Sequence, residues 1–452
     1  MERPTIFFIV NYGGAAVRNI LHGGVLEELI NRGYRVVLFS LPEHNRKAAE
    51  KLFGDQIVVE SFDDFRFRGL QKMVQRIRTY HWRTLVPYDV LLQIQRKTRT
   101  FKNNLQDILG HLVSGIPFSW WEKILNSGVN WPEGEELFDK YQPVAVLISN
   151  PTERENVAIN YARSKGIYTA CILESWDNLC MRGALYSCPD DMLVWNELVA
   201  TEARELHFYP KERVHATGIP SFDLYANKDG KIPTEEMWRK EMGIAPDAPI
   251  ILYTTAAPQI YSQADGIVAS LLKAREDGRL PENTHILIRL HPLDNFQQYD
   301  IYKDLPGFTI QYPSATFKDD SRNDSSLGKP LMLAATLTHS TVVLNVFSTI
   351  IIEALANDTP VIGIAYDVEP VPANRSVSNY LLVPTIRELV KLGGVPVVRN
   401  EEELIREIRN FIDDGSYLLK QRVFSKEQEI YNLDGTATLE IAKFVHNRIQ
   451  QQ

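Results

Sequence analysis

Ser348 and Thr349 sit between two apolar runs, Val342–Leu344 before them and Ile350–Ala356 after them, and Glu353 is the one charged residue in the second run. The first run is short and β-branched and predicts a strand; the second predicts a buried helix capped by the Ser or Thr. Asn357-Asp358-Thr359-Pro360 ends that helix, and Val361–Ala365 predicts another strand. Hydroxyls beside the free N–H groups of a helix start make a seat for phosphate. A carboxylate one turn further on can accept both hydroxyls of a ribose. Together they point to a nucleoside diphosphate. Two plainer readings use the same residues: Ser348-Thr349 as a simple helix cap, and Glu353 as a buried carboxylate answered by a basic neighbour.

Other residues of useful type stand where apolar runs end. His285–Leu290 closes on Arg289 and then His291-Pro292, which could give a proton or a positive charge to a leaving phosphate, or merely end a strand. Thr254 and Thr255 close the run from Ile250 and offer further donor contacts. Glu153 follows the run Pro143–Ser149, and Glu174 and Asp177 follow Tyr168–Leu173, so all three are candidate general bases for an acceptor hydroxyl. Trp176, between two of them, could stack on a sugar; the alternative is a turn with a core tryptophan. Gly13 and Gly14 follow the run Thr5–Val10 and are read as an acceptor-side turn, with packing as the other use of the same glycines.

These runs alternate with helical segments, and that alternation predicts parallel α/β sheets. At 452 residues the chain exceeds one ordinary core. The reading is two Rossmann-like domains in series. The first spans residues 1–223, with a basic helical insertion at about 60–135. A linker follows at 224–249, then a second domain at 250–435, and a C-terminal helix at 436–452 that could return to the first domain. Within this scheme Val17–Arg32 is expected as a helix and Gly394–Arg399 as a strand. No GxGxxG follows the first strand, so a dinucleotide fold of that type is not indicated.

Composition narrows the function. A formal net charge of -8 speaks against general nucleic-acid binding, and three cysteines without a CxxC pair suggest neither zinc nor a disulfide framework. No acid pair of DxD spacing ends a strand, so neither a catalytic metal nor a cofactor is expected, the nucleotide being a substrate. No run is long and apolar enough for a membrane span. The expected location is the cytoplasm, with peripheral contact at the inner face of the cell membrane as a further expectation. Between Phe65 and Asn104 ten Lys and Arg face the single acid Asp89, with aromatics interleaved. That stretch is either a solvated basic face or a surface for anionic lipid or a phosphate-bearing acceptor.

The order of these motifs resembles the GT-B glycosyltransferases. The residues that carry the resemblance are His291-Pro292, Ser348-Thr349 and Glu353 before Pro360. Similar elements occur in capsule sialyltransferases, Kdo transferases and the CDP-glycerol glycerophosphotransferases of teichoic acid synthesis. The segments Glu174–Leu179 and Thr217–Asp223 also look like those of surface-carbohydrate proteins of that group. The resemblance implies a donor domain in the second half and an acceptor domain in the first, the two facing across a cleft. It further implies metal-independent transfer of a sugar from a nucleotide-sugar to a saccharide or lipid-linked acceptor. The alternatives are a CDP-glycerol-type phosphotransferase and a sugar-nucleotide 2-epimerase.

Overall fold

The computed structural model describes residues 3–10, 23–39, 46, 49–50, 53–60, 67–94, 97, 99–127, 129–151, 153–186, 188–226, 230–312 and 329–452. The chain divides into two compact units, Met1–Asp223 with Tyr431–Gln452, and Leu224–Ile430.

In the first unit seven short apolar runs become β1 (Thr5–Ile9), β2 (Arg35–Phe39), β3 (Ile57–Val59), β4 (Pro143–Ile148), β5 (Tyr168–Ile172), β6 (Asp191–Val194) and β7 (Val214–Ala216). They pair in the order β3-β2-β1-β4-β5-β6-β7, all parallel. Side chains on both faces of the central strands are buried, as helical cover on each side of a parallel sheet requires, while the edge strands β3 and β7 are buried only in part. The order in which strands are added reverses between β1 and β4, which makes that pair the switch point of the sheet. The helices include α1 (Val25–Asn31), α2 (Gly69–Leu85), α3 (Phe101–Leu112), α4 (Trp120–Asn126), α5 (Glu153–Ser164) and α6 (Glu197–His207). Of the helix expected over Val17–Arg32, the described residues show Val25–Asn31, which starts after Gly24 at a φ of +82° that an α-helix cannot contain. Residues 11–22 lie outside the described ones.

The second unit repeats the plan with β8 (Ile250–Thr254), β9 (His285–Arg289), β10 (Phe308–Gln311), β11 (Val342–Asn345), β12 (Val361–Ile364) and β13 (Val397–Val398), in the parallel order β10-β9-β8-β11-β12-β13. Its helices include α7 (Ala264–Glu276), α8 (Ile350–Ala356), α9 (Glu401–Asp413) and α10 (Leu419–Glu429). The strand expected at Gly394–Arg399 shrinks to two residues. Gly394 gives its N–H to the Ser425 hydroxyl of α10 at 3.1 Å, so the start of that run is held by a helix instead of the sheet.

The last helix, α11 (Ala437–Gln450), belongs to the first unit. Asp223 accepts the N–H groups of Ala437 and Thr438 at 3.0 and 2.9 Å and so satisfies its first turn. Gly218, at φ +83°, lets the preceding loop pass close by, since a Cβ there would stand 3.0 Å from that of Ala437. The segment Thr217–Asp223 therefore serves the architecture by seating the last helix of the chain.

Candidate functional site

In the second unit, three adjacent strands bring the expected residues to one edge of the sheet. Thr254 and Thr255 end β8, Arg289 and His291 end β9, and Ser348 and Thr349 follow β11. With parallel strands about 4.8 Å apart, β9 and β11 stand roughly 10 Å from each other across β8. That is the switch point of this sheet, where ligands of open α/β folds bind.

The residues there divide into those that build the edge and those that face out. Thr254 is 3% exposed and Thr255 6%, and both hydroxyls are engaged internally. Thr254 Oγ1 donates to the Leu344 carbonyl and accepts from Asn345 Nδ2 at 2.7 Å. Thr255 Oγ1 accepts the His291 N–H at 2.8 Å, which fixes the loop after β9. Asn345, buried to 1%, also takes the Ser348 N–H on its Oδ1 at 2.6 Å. One amide thus ties β8 to the turn that carries the exposed hydroxyls. Sequence reasoning missed Asn345; the available signal was a polar residue ending an otherwise apolar strand.

Ser348 and Thr349 keep partly exposed side chains. Between them and Asn345 lies Phe347 at φ +44°, a left-handed conformation that is strained for a bulky residue. Its ring fills the space over Gly363, where a Cβ would meet Phe347 Cε1 at 2.8 Å. The turn is held by packing and hydrogen bonding, not by local preference.

His291 is half-buried, and burial holds its imidazole below the ordinary histidine range, with nearby Asp294 opposing that shift. The Leu293 N–H donates to its Nδ1 at 3.0 Å. Nδ1 is therefore an acceptor, and the proton of the neutral ring sits on Nε2. This histidine is set up to donate a hydrogen bond, not to take up a proton. Arg289 gives one N–H to the Gln311 side chain on β10 at 3.1 Å. Glu353 is 1% exposed and accepts from the Tyr225 hydroxyl, so a tyrosine helps to answer the buried carboxylate.

In the first unit, Glu174 follows β5 and is 3% exposed. Asn150, at the end of neighbouring β4, gives its amide N–H to Glu174 Oε1 at 2.8 Å. Arg182 stands 3.8 Å away. Burial outweighs these partners and pushes the carboxyl up to about 7. Asp177 lies beside it in sequence as the N-cap of a single helical turn and accepts from the Ser175 hydroxyl at 2.5 Å. Asn178 is 2% exposed, and its side-chain amide finds no partner among the described residues. Trp176, 3% exposed, has almost no ring surface to offer a sugar. Glu153 is the first residue of α5, and its side chain lies outside the described ones. Gly13 and Gly14 lie outside the described residues altogether. Among the described residues no cluster of three or more His, Cys, Asp or Glu could hold a metal ion.

The basic stretch 65–104 is only partly a surface. Arg78 is buried and donates to the Leu185 carbonyl. Arg83 pairs with Asp107 at 2.9 Å, Arg99 pairs with the same aspartate, and Arg68 with Glu133 at 2.7 Å. Trp82 is core, stacked on His207 at 5.9 Å.

Two parallel α/β units of this order are the two Rossmann-like domains of the GT-B fold. Solved structures share the fold. The UDP-GlcNAc 2-epimerase of Neisseria meningitidis bound to UDP-GlcNAc superposes with a TM-score of 0.57 at 13% identity, over 98% of this chain and 100% of that one. The MnaA–UDP complex of S. aureus gives 0.54 at 12%, over 99% and 97%. MurG of Acinetobacter baumannii gives 0.50 at 10%, over 98% and 99%. No curated protein is a significant match to the sequence. Residues 186–447 match the family described as CDP-Glycerol:Poly(glycerophosphate) glycerophosphotransferase, and the chain belongs to that family. It is a nucleotide-linked transferase acting on cell-surface polymers.

Proposed function

We propose that this protein moves a glycerol-phosphate-type unit from a CDP-linked donor to a hydroxyl of a cell-surface polymer. Family membership over residues 186–447 carries the choice of donor. The acceptor oxygen attacks the donor phosphorus that bears the glycerol. The bond between the two phosphates breaks, CMP leaves, and the acceptor proton passes to a base. Ser348 and Thr349 donate to the phosphates, and Nε2–H of His291 stabilises the charge that develops on the leaving group. Glu353 takes the ribose hydroxyls in place of the Tyr225 phenol, a donor of the same kind. Glu174, with a carboxyl poised at about 7, is the base, and Asn150 fixes its orientation. Asp177 and Glu153 are the alternatives for that role. The reaction needs no resident metal, so a chelator leaves turnover intact. The acceptor is lipid-linked or saccharide and is met at the inner face of the cell membrane.

A second reading is transfer of a sugar from a nucleotide-sugar, because that donor also presents a nucleoside diphosphate to the same hydroxyls. Turnover assays separate the two. CDP-glycerol with a short glycerol-phosphate primer should release CMP only when the primer is present. Release of a nucleotide from UDP- or CMP-sugars instead selects the second reading. Conversion of a UDP-sugar without any acceptor would reveal an epimerase, and the absence of both turnover and thermal stabilisation with every nucleotide would refute the transferase.

A further inference from the structure

Asn178 is 2% exposed, yet neither its Nδ2 nor its Oδ1 meets a hydrogen-bond partner among the described residues. A buried amide left so is costly, and folded proteins pair such groups with protein, water or ligand. An apolar side chain of the same shape would avoid the cost. Asn178 opens the single helical turn Asn178–Met181, and Arg182 caps its end. Residues four apart on a helical turn share a face, and their side chains lean back toward its start. Arg182, 53% exposed, follows that direction: its guanidinium stands 3.8 Å from Glu174 Oε1, and it pairs with nothing else among the described residues. The face that Asn178 shares with Arg182 is thus the one turned to Glu174. The other side of the turn is anchored, with Leu179 1% exposed and the His207 Nε2–H donating to the Leu179 carbonyl at 2.7 Å. Asp177 turns aside to the Ser175 hydroxyl. Carboxylate, amide and guanidinium therefore form a row, Glu174, Asn178 and Arg182, that runs from buried to exposed.

Each member of the row selects a different group. An amide with both its N–H and its C=O open is satisfied by a partner that donates and accepts at once, as two adjacent hydroxyls do. A phosphate or carboxylate alone would leave Oδ1 unpaired, and an ammonium would leave Nδ2 unpaired. A half-exposed guanidinium suits a phosphate. We propose that this row binds the end of the acceptor, a polyol phosphate with two adjacent free hydroxyls. Asn178 Nδ2 donates to the attacking oxygen, whose own proton stays directed at Glu174. Asn178 Oδ1 accepts the neighbouring hydroxyl, and Arg182 holds the phosphate behind the pair. Asn178 thereby sets specificity for a diol-ended acceptor. None of the three residues falls within the 186–447 family match. The inference rests on the reading of Glu174 as the base, and its test keeps the two apart.

Two primers test this, a short glycerol-phosphate chain and the same chain ending in a propanediol unit that lacks the second hydroxyl. Each is titrated calorimetrically into the full-length protein without donor. Wild type should bind the glycerol-ended chain at least tenfold more tightly. In Asn178→Leu that preference should vanish while affinity for CDP-glycerol and the melting temperature hold. Asn178→Ser, which asks for less room, should lose it too. Arg182→Gln should weaken both primers alike and keep the preference. Equal affinity of wild type for the two primers, or no binding of either, overturns the inference. So does a preference that survives both Asn178 variants, since a buried water would then answer the amide. Tighter binding of an N-acetylated sugar than of either primer also overturns it, because a second amide would be the partner. A preference for the glycerol-ended chain without any release of CMP counts against the proposed transfer and leaves the acceptor site standing. Full turnover in Glu174→Gln with the preference intact removes the base alone.

Discussion

The two units share a fold and build opposite chemistries at their switch points. In the second unit the strand ends carry the partly exposed hydroxyls of Ser348 and Thr349 and a neutral imidazole, all able to donate to an anion. In the first unit the loop after β5, one strand beyond the switch point, holds a carboxylate with a raised pKa and a buried asparagine whose side chain has no partner among the described residues. The same parallel sheet thus presents hydrogen-bond donors or a protonatable carboxylate according to which side chains follow its strands. The fold places a site; the residues at the strand ends decide its chemistry.

The largest expected effect breaks the first unit's half of this contrast. Glu174→Gln should lower kcat about 10²- to 10⁴-fold if the carboxylate is the base. It should also stabilise the protein above pH 7. The folded pKa of Glu174, about 7, exceeds the ordinary value of 4.5, so its contribution to stability is lost as pH rises from 4.5 through 7. Melting curves at pH 8 should place the variant above wild type, and wild-type activity should climb with a midpoint near 7. A variant that keeps full activity removes Glu174 from the mechanism and turns attention to Asp177 and Glu153.

In the second unit, Ser348→Ala with Thr349→Val removes two donors to a charged group, worth about 1.5–3 kcal/mol each. Donor KM should rise at least tenfold while acceptor KM holds. A rise in acceptor KM alone would reverse the assignment of the two units.

Acid stability tests whether the units are equally vulnerable. Burial lowers His207 in the first unit and His285 in the second to about 4 each, from 6.5. Both stay neutral in the folded state while the unfolded chain takes up protons. Stability is therefore intact above about 6.5 and falls between 6.5 and 4, by about 3 kcal/mol for the fully buried His207. Differential scanning calorimetry across that range should show His285→Gln flattening the decline.

The smallest effect concerns the strained turn. Gly363→Ala forces the Phe347 ring to move and should cost about 1–3 kcal/mol in chemical denaturation. Donor affinity should weaken with it, because Phe347 shapes the Ser348 turn; a stable variant with normal donor affinity would show the turn to be incidental.

Much of the fold is legible in the sequence because local pattern and burial agree along these strands. Ile250–Thr254 and Ile350–Ala356 form where their apolar runs predict, and the turn after β11 falls at Ser348-Thr349. Glu174 stands out because a carboxylate after a buried strand has few other reasons to be there. What the sequence could not show depends on tertiary partners. Asn345 is one more polar residue after an apolar run until Thr254 and Ser348 meet it. Trp176 reads as a stacking platform until the core closes over it. The stretch 65–104 reads as a basic surface because nothing local reveals that Asp107 and Glu133 neutralise Arg83, Arg99 and Arg68.

Everything proposed for the second unit rests on its strand-end hydroxyls holding the donor diphosphate. Calorimetric titration of CDP-glycerol into wild type and into the Ser348→Ala, Thr349→Val variant puts that to the test without any acceptor present. Saturable binding to wild type is expected, with at least tenfold weaker binding to the variant, whose melting temperature without ligand is unchanged. Equal affinity in the two proteins would mean that the diphosphate sits elsewhere.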